Sequence, residues 1–182
     1  MYKHSKLTLI MNEPENRLCF DCASTNVTHA SINNGVLLCS LCSEKHLKLN
    51  NQISTVKSMY DDTWSDDEAR FLEISGNRRF LGLMHEYNIP KDKNFDFKYS
   101  TIAAYYYRKL VYSELTNSKA PIKPDSNAGT KMMTEDMMKE AGFFTRMKES
   151  IVNFGGKIAE KTKELFTSSS HKDEIGHEVG QK

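Results

Sequence analysis

Four cysteines, Cys19, Cys22, Cys39 and Cys42, follow one another as C-x2-C-x16-C-x2-C, and the 182-residue chain contains no others. Two close pairs separated by a hairpin-sized gap can each clamp one edge of a tetrahedral Zn²⁺, whose thiolate ligands sit ~2.3 Å from the metal. The spacing therefore predicts a structural, closed Zn²⁺ site on Cys19, Cys22, Cys39 and Cys42, with the chain between the pairs folded as a hairpin. A disulfide framework fits less well, because four cysteines in 182 residues without a secretory leader lack the density of a small secreted scaffold. A redox C-x-x-C needs only one pair.

Metal knuckles of this spacing also occur in DNA-binding fingers, which present a strongly basic face. Here residues 1–116 carry 14 Lys and Arg against 14 Asp and Glu, so no nucleic acid is expected as a partner. A hydrophobic content of 38% supplies a modest core that zinc would reinforce, enough for one domain and a tail. The longest apolar stretch, around GVLLCSLC, falls far short of the ~20 residues that span a membrane. MYKHSKLTLIMN at the N-terminus lacks arginine and is short for a transit peptide, which leaves an uncleaved organellar address open. Thiolate ligands agree with a reducing compartment, and the cytoplasm is expected.

Local signals place these residues on elements. Asn34-Gly35 reads as the centre of a two-residue type I′ hairpin turn, flanked by two short strands. A helix from Ser40 to about Leu49 would carry His46 and Leu47. Ser65 with Glu68 three residues on forms a capping box, and Gly76 a stop, bracketing a helix over 66–75. Asn77 is expected to cap the next helix, which must end before Pro90. Residues 101–115 read as a further helix with Ile102, Tyr105, Tyr106, Leu110 and Val111 as its apolar stripe. The tyrosine run 105–107 suits core packing better than base stacking, because no basic groove accompanies it. The class is α+β: a small hairpin or sheet surrounded by helices.

Residues 117–140 are polar and punctuated by Pro121, Pro124 and Gly129, the composition of a linker. Beyond it, over 141–166, Phe144, Met147, Ile151, Phe154, Ile158 and Leu165 recur at helical spacing, with Phe143 and Phe166 at the two ends. This seam either packs on a partner helix or lies in a membrane interface. Its five basic and three acidic residues over 143–166 are too few for purely electrostatic attachment, so apolar insertion would dominate. Residues 167–182 read as a polar tail, where His171 and His177 are too isolated to suggest a metal site.

The stretch around the cysteines carries further signatures: N-x-T-x-A-S-x-N-x-G-V-x-L-C leading into the second pair, His46 four residues after Cys42, Ile53-Ser54, Asp62-Thr63-Trp64, Gly76-Asn77, and KYSTIAAYYYRKL. Together with the x16 gap they resemble the zinc domain of ArfGAP proteins, which promote GTP hydrolysis by Arf-type small GTPases. The resemblance covers about residues 7–116 and implies a zinc domain over 1–116, an Arf-type GTPase as partner, and action in membrane traffic. KIAEKTKELFTSSS is similar to tail segments of the family that sense membrane curvature.

One departure bears on activity. In the family the fifth residue after the last zinc cysteine is an arginine finger within C-S-G-I-H-R-S-L-G; here the stretch is C-S-E-K-H-L-K-L-N and the position is Leu47. A guanidinium inserted in trans is worth ~10³–10⁵ in rate, roughly 4–7 kcal/mol, and leucine supplies none of it. Lys48 is a possible substitute, but adjacent helical residues point about 100° apart and an ammonium lacks the planar fork; Lys45 faces away. His29 stands where the family usually has Trp, and Glu44 and Asn50 where it has Gly. The resemblance and its departures together imply a weak or inactive GTPase activator, peripheral on Golgi or vesicle membranes. The alternative is a catalytically dead subunit of a larger membrane-associated complex, mitochondrial or of another organelle, with the 141–166 helix docked on partner subunits.

Overall fold

The computed structural model describes residues 5–60 and 63–141; the seam from Phe143 to Phe166 lies outside them. Its centre is the hairpin that the cysteine spacing calls for. β1 (Val27–Ser31) and β2 (Val36–Cys39) pair antiparallel, with Ser31 opposite Val36 and Val27 opposite Cys39. The connection differs from the expected two-residue turn: residues 32–35 all lie in it, and only Gly35, at φ +62, is left-handed. Tertiary bonds explain the wider loop. Asn34 Nδ2 donates to Ile53 O at 2.7 Å, while Asn33 Nδ2 reaches Gln52 O at 3.2 Å and its Oδ1 accepts from the Thr55 amide at 2.9 Å. Both amides are drawn inward onto residues 52–55, which a two-residue type I′ turn would not allow. Gly35 is required twice, since a Cβ there would also lie 2.0 Å from Ser75 Oγ.

A third strand, β3 (Val56–Ser58), pairs with the other edge of β1 and gives the order β2-β1-β3. Three residues are too few to show alternation, so the sequence does not announce it. α2 (Ser40–Leu47) follows β2 directly, as expected. α3 (Asp66–Ile74) starts at the expected capping box, in which the Glu68 amide donates to Ser65 Oγ and the Ser65 amide to Glu68 Oε2. α4 (Gly76–Glu86) begins without a side-chain cap. Asn77, expected to cap it, instead accepts the Leu37 amide at 2.8 Å and donates to the carbonyls of Glu15 and Leu18. β2 is an edge strand whose outward amide would otherwise be buried unpaired, and that need outweighs a cap at a helix start.

Helix α1 (Ser5–Asn12) takes up the N-terminal stretch, burying Leu7 and Ile10 in the main core with Val27, Ala30, Leu37, Met59, Trp64 and Leu72. A five-residue helix, α5 (Phe95–Tyr99), is capped by the Asn94 side chain. It leads into α6 (Ile102–Leu115), whose N-cap Thr101 accepts from the Ala104 amide. The buried face of α6 overlaps the expected stripe only at Tyr105 and Val111. Ala104, Tyr107, Arg108 and Val111 are buried, whereas Ile102, Tyr106 and Leu110 are half-buried. Hydropathy assigns an arginine outward, and only the polar contacts described below make Arg108 an interior residue.

Residues 117–140, linker-like in composition, hold α7 (Ser126–Gly129) and α8 (Glu135–Ala141) and pack onto α4 and α6. Tyr87 donates to Pro124 O at 2.8 Å, and a Cβ on Gly129 would lie 2.2 Å from the Tyr87 ring. The Ile102 amide donates to Lys131 O and the Met133 amide to Ser100 O, with Met133 buried. Proline and glycine here permit close approach of a strap rather than mark a free tether.

Candidate metal centre and its helix

The first cysteine pair sits on a turn before β1. The Ala23 amide donates to Cys19 O and the Cys19 amide to Ser24 O, closing a knuckle in which Ala23 takes φ +59. The Phe20 amide donates to Leu37 O at 2.9 Å and joins this knuckle to β2. The second pair spans the junction of β2 and α2: Cys39 ends the strand and Cys42 lies in the first turn of the helix. The four Sγ atoms all fall within 4.8 Å of one another, with Cys22 and Cys39 3.6 Å apart. A regular tetrahedron with bonds of ~2.3 Å has edges of about 3.8 Å, so the thiols are spaced for a Zn²⁺ at their centre. Burial pushes the Cys42 and Cys19 thiols up, whereas a backbone amide at Ser24 draws the exposed Cys22 thiol down. A metal taking this set must displace protons, which couples occupancy to folding.

Between the first two cysteines stands Asp21, and it ties the knuckle to two helices. Its Oδ1 accepts from Lys98 Nζ at 2.5 Å and from the Tyr99 hydroxyl at 2.9 Å, and its Oδ2 meets His46 Nε2 at 3.1 Å. Burial opposes ionisation of Asp21, but the His46 hydrogen bond and the Lys98 charge hold its carboxyl below the usual range. His46, fully buried on α2, sits edge-on to Phe95 and Tyr99 with ring centroids 4.7 and 4.6 Å away. Burial lowers its pKa against the pull of Asp21, which keeps the imidazole neutral. Its other nitrogen, Nδ1, meets Ser54 Oγ at 2.7 Å.

The residue after this anchored histidine is the exposed one. Leu47, the last residue of α2, is 63% exposed. Lys48 is its C-cap, and Lys48, Lys45, Glu44 and Asn50 are all exposed. His29 is half-buried on β1 and contacts Thr28 Oγ1 through Nδ1. The structure thus brings the four predicted ligands together and leaves an aliphatic side chain, Leu47, exposed at the end of α2. The sequence gives no sign of the part played here by Asp21, Lys98 or Arg108, although Asp21 lies inside the C-F-D-C knuckle, and it marks Asn34 only as a turn residue and Ser54 only as part of the Ile53-Ser54 signature.

A cysteine double knuckle closed on a three-stranded sheet, with a helix leaving the second pair, defines an α+β domain of the metal-binding finger class. Residues 4–118 match the ArfGap family, whose description is a GTPase activating protein for Arf, and the chain belongs to that family. It is 33% identical over 106 residues to ADP-ribosylation factor GTPase-activating protein 3 of Mus musculus, covering 58% of this chain and 20% of that relative. It is 41% identical over 78 residues to the Arabidopsis thaliana relative AGD15, named as a probable ADP-ribosylation factor GTPase-activating protein, covering 42% of this chain and 34% of the relative. Among solved structures, a Cryptosporidium parvum protein assigned as a GTPase activating protein for ADP ribosylation factor superposes with a TM-score of 0.56 at 30% identity. That match covers 60% of this chain and 88% of the other. The chain therefore spans about a third or less of these curated relatives' length.

Proposed function

We propose that this chain binds an Arf-type GTPase through the surface that carries Leu47, holds one structural Zn²⁺ on Cys19, Cys22, Cys39 and Cys42, and stimulates GTP hydrolysis weakly. The exposure of Leu47 carries this reading: the tip is held out by a buried, doubly bonded His46, so the scaffold that aims a finger is present and the guanidinium is not. A GTPase activator of this kind has no substrate pocket of its own; it lends charge to the partner's γ-phosphate, and leucine has none to lend. Single-turnover GTP hydrolysis by an Arf partner tests it. Native protein should stimulate feebly, and Leu47→Arg should raise the rate by a measurable part of the ~10³–10⁵ a finger supplies. Strong stimulation by the native protein that survives Lys48→Ala would refute the reading.

The 141–166 seam is proposed as the attachment to a membrane surface or partner subunit, in keeping with peripheral action on Golgi or vesicle membranes; among the described residues no helix is long and apolar enough to cross a membrane. Each large side chain buried there contributes about 1.5–3 kcal/mol before ordering costs, so attachment is apolar in origin. Ile151→Glu with Phe154→Glu should release the chain from membranes, whereas raised salt alone should not. Retention of the double variant combined with wash-off in salt would assign attachment to charge instead.

A further inference from the structure

A run of hydrogen bonds crosses the interior from α6 to α2 and the cysteine knuckle. Arg108 Nη1 donates to Asn34 Oδ1 at 2.9 Å, and Asn34 Nδ2 donates to Ser31 Oγ at 2.9 Å. Ser31 Oγ lies 2.8 Å from Ser54 Oγ, Ser54 Oγ 2.7 Å from His46 Nδ1, and His46 Nε2 3.1 Å from Asp21 Oδ2. An ionised carboxylate only accepts, so neutral His46 carries its proton on Nε2, and Nδ1 then accepts from Ser54. Ser31 Oγ also donates to Asn33 Oδ1 at 3.4 Å, so the run is tied to the hairpin loop as well as to His46. The run joins the buried cation Arg108 to Asp21, whose side chain is 7% exposed, and hydrogen bonds in such a series strengthen one another.

The strap closes the Arg108 end. Arg108 Nη2 donates to Met133 Sδ at 3.2 Å, beside the amide bonds of Met133 to Ser100 and of Ile102 to Lys131. Glu140 takes the Tyr105 hydroxyl at 2.8 Å and Lys109 Nζ at 2.9 Å and fastens α8 to α6. Residues 119–141 lie beyond the 4–118 that match the family, yet they cover the start of a hydrogen-bond run that passes through His46, the residue next to Leu47. Asn34, in the middle, also holds Ile53 O at 2.7 Å and so carries the 50–55 loop with it.

We propose that Met133 and Arg108 are positioning residues for the exposed end of α2: the docked strap holds Arg108 against Asn34, and the run through Ser31 and Ser54 fixes His46 and thereby the direction in which Leu47 points. The consequence for GTP hydrolysis rests on the reading of the Leu47 surface given above; the mechanical coupling does not.

The two are separated by hydrogen exchange and kinetics on the full chain carrying Met133→Ala, with Glu140→Ala, an exposed change, as the second variant should the first fail to fold. Amides of Met133 and Ile102 should exchange about tenfold faster, and those of Ile53, Ser54 and Thr55 should follow by about threefold, while amides within α3 keep their parent rates. Met133→Gln, which keeps the length and offers an oxygen to Arg108, should restore both sets. In the Leu47→Arg background, Met133→Ala should lower the maximal single-turnover rate about tenfold with the half-saturating concentration unchanged, the split expected of a misaimed finger. Faster strap amides with unmoved 53–55 amides, failure of Met133→Gln to restore them, or an equal loss of affinity and rate would overturn the proposal. The exchange pattern in a protein whose Leu47→Arg form does not act on a GTP-loaded Arf partner would uphold the coupling and refute the GTPase reading alone.

Discussion

The knuckle end and the strap end of this domain each bury a charge, and they balance it differently. Asp21, beside the cysteine cluster, has a cation in contact: Lys98 Nζ at 2.5 Å, with both side chains more than nine-tenths buried. Arg108, under the strap, meets an amide oxygen, a carbonyl and a thioether, and among the described residues no carboxylate touches it. Burial draws the Arg108 pKa down to about 10, which still leaves it charged near neutrality. A contact ion pair is costly to break because one partner is left alone, whereas a charge held by dipoles leaves only polar groups behind. The knuckle should therefore behave as the rigid half of the molecule and the strap as the half that opens.

Metal removal is the harshest test of that contrast. Structural zinc contributes roughly 10–16 kcal/mol of apparent binding energy, as much as the ~5–15 kcal/mol that a whole domain commands. Chelation, or Cys39→Ser, should abolish cooperative thermal unfolding of both ends together, because the sheet, α2 and the buried run depend on the knuckle. A chelated sample that keeps its near-UV circular dichroism and its melting transition would show that the thiols are not the keystone.

The charges themselves give the next largest effect. Lys98→Met strips Asp21 of its cation and should cost somewhat less than the ~3–5 kcal/mol of a broken buried pair, since His46 and Tyr99 still bond the carboxylate. Arg108→Met removes a charge that no carboxylate contacts and replaces it with an apolar chain of similar length, and should cost clearly less, about 1–2 kcal/mol for the stranded Asn34 oxygen. Denaturant titration of the two variants decides the matter. Equal losses would erase the distinction between the ends.

How far each half was legible follows from the kind of signal it sends. The cysteine ligands, the Ser65 box and the course of α2 depend on residues a few positions apart, and local spacing reports local geometry. Arg108 and Asn34 are 74 positions apart, and nothing in either neighbourhood announces the other. The same holds for Asn77, whose partners at Glu15, Leu18 and Leu37 turn an expected cap into a cross-link. The 117–140 stretch misleads for a different reason: glycine and proline signal a break in regular structure, but not whether the broken chain is free or pressed against a tyrosine. The helix that carries Leu47 was legible, while its buried supports were not.

Gly129→Ala probes the strap directly. The new methyl would lie 2.2 Å from two ring atoms of Tyr87, which is itself pinned to Pro124 O, so α7 must lift. Overpacking of this kind costs about 1–3 kcal/mol, and the cost should appear as local opening rather than global loss. Hydrogen exchange should quicken at Gly129, Lys131 and Met133 while zinc content is unchanged. Uniform quickening across the sheet would mean that strap and knuckle open as one unit.

The smallest effect belongs to a second arginine, which contrasts with Arg108 in exposure and partner. Arg79 on α4 forks onto Glu114 of α6, with Nη1 2.7 Å from Oε2 and Nη2 2.6 Å from Oε1, and its other bond runs to Ile74 O. The Arg79 hydrogen bond, joined by the Arg79 charge and opposed by burial, holds the Glu114 carboxyl below its ordinary range. Because the folded pKa is depressed, the stabilisation is present above the unfolded pKa and is lost as pH falls through the folded value. Glu114 is 43% exposed, so solvent screening limits the pair to about 0.5–1 kcal/mol even with two-point geometry. Glu114→Gln should lower stability by that amount near neutrality and by nothing at acid pH, where the native carboxyl is protonated too, and added salt should narrow the difference. A loss that persists unchanged into acid and high salt would show that Glu114 acts through packing against α4, leaving charge balance as the lesser influence at both arginines.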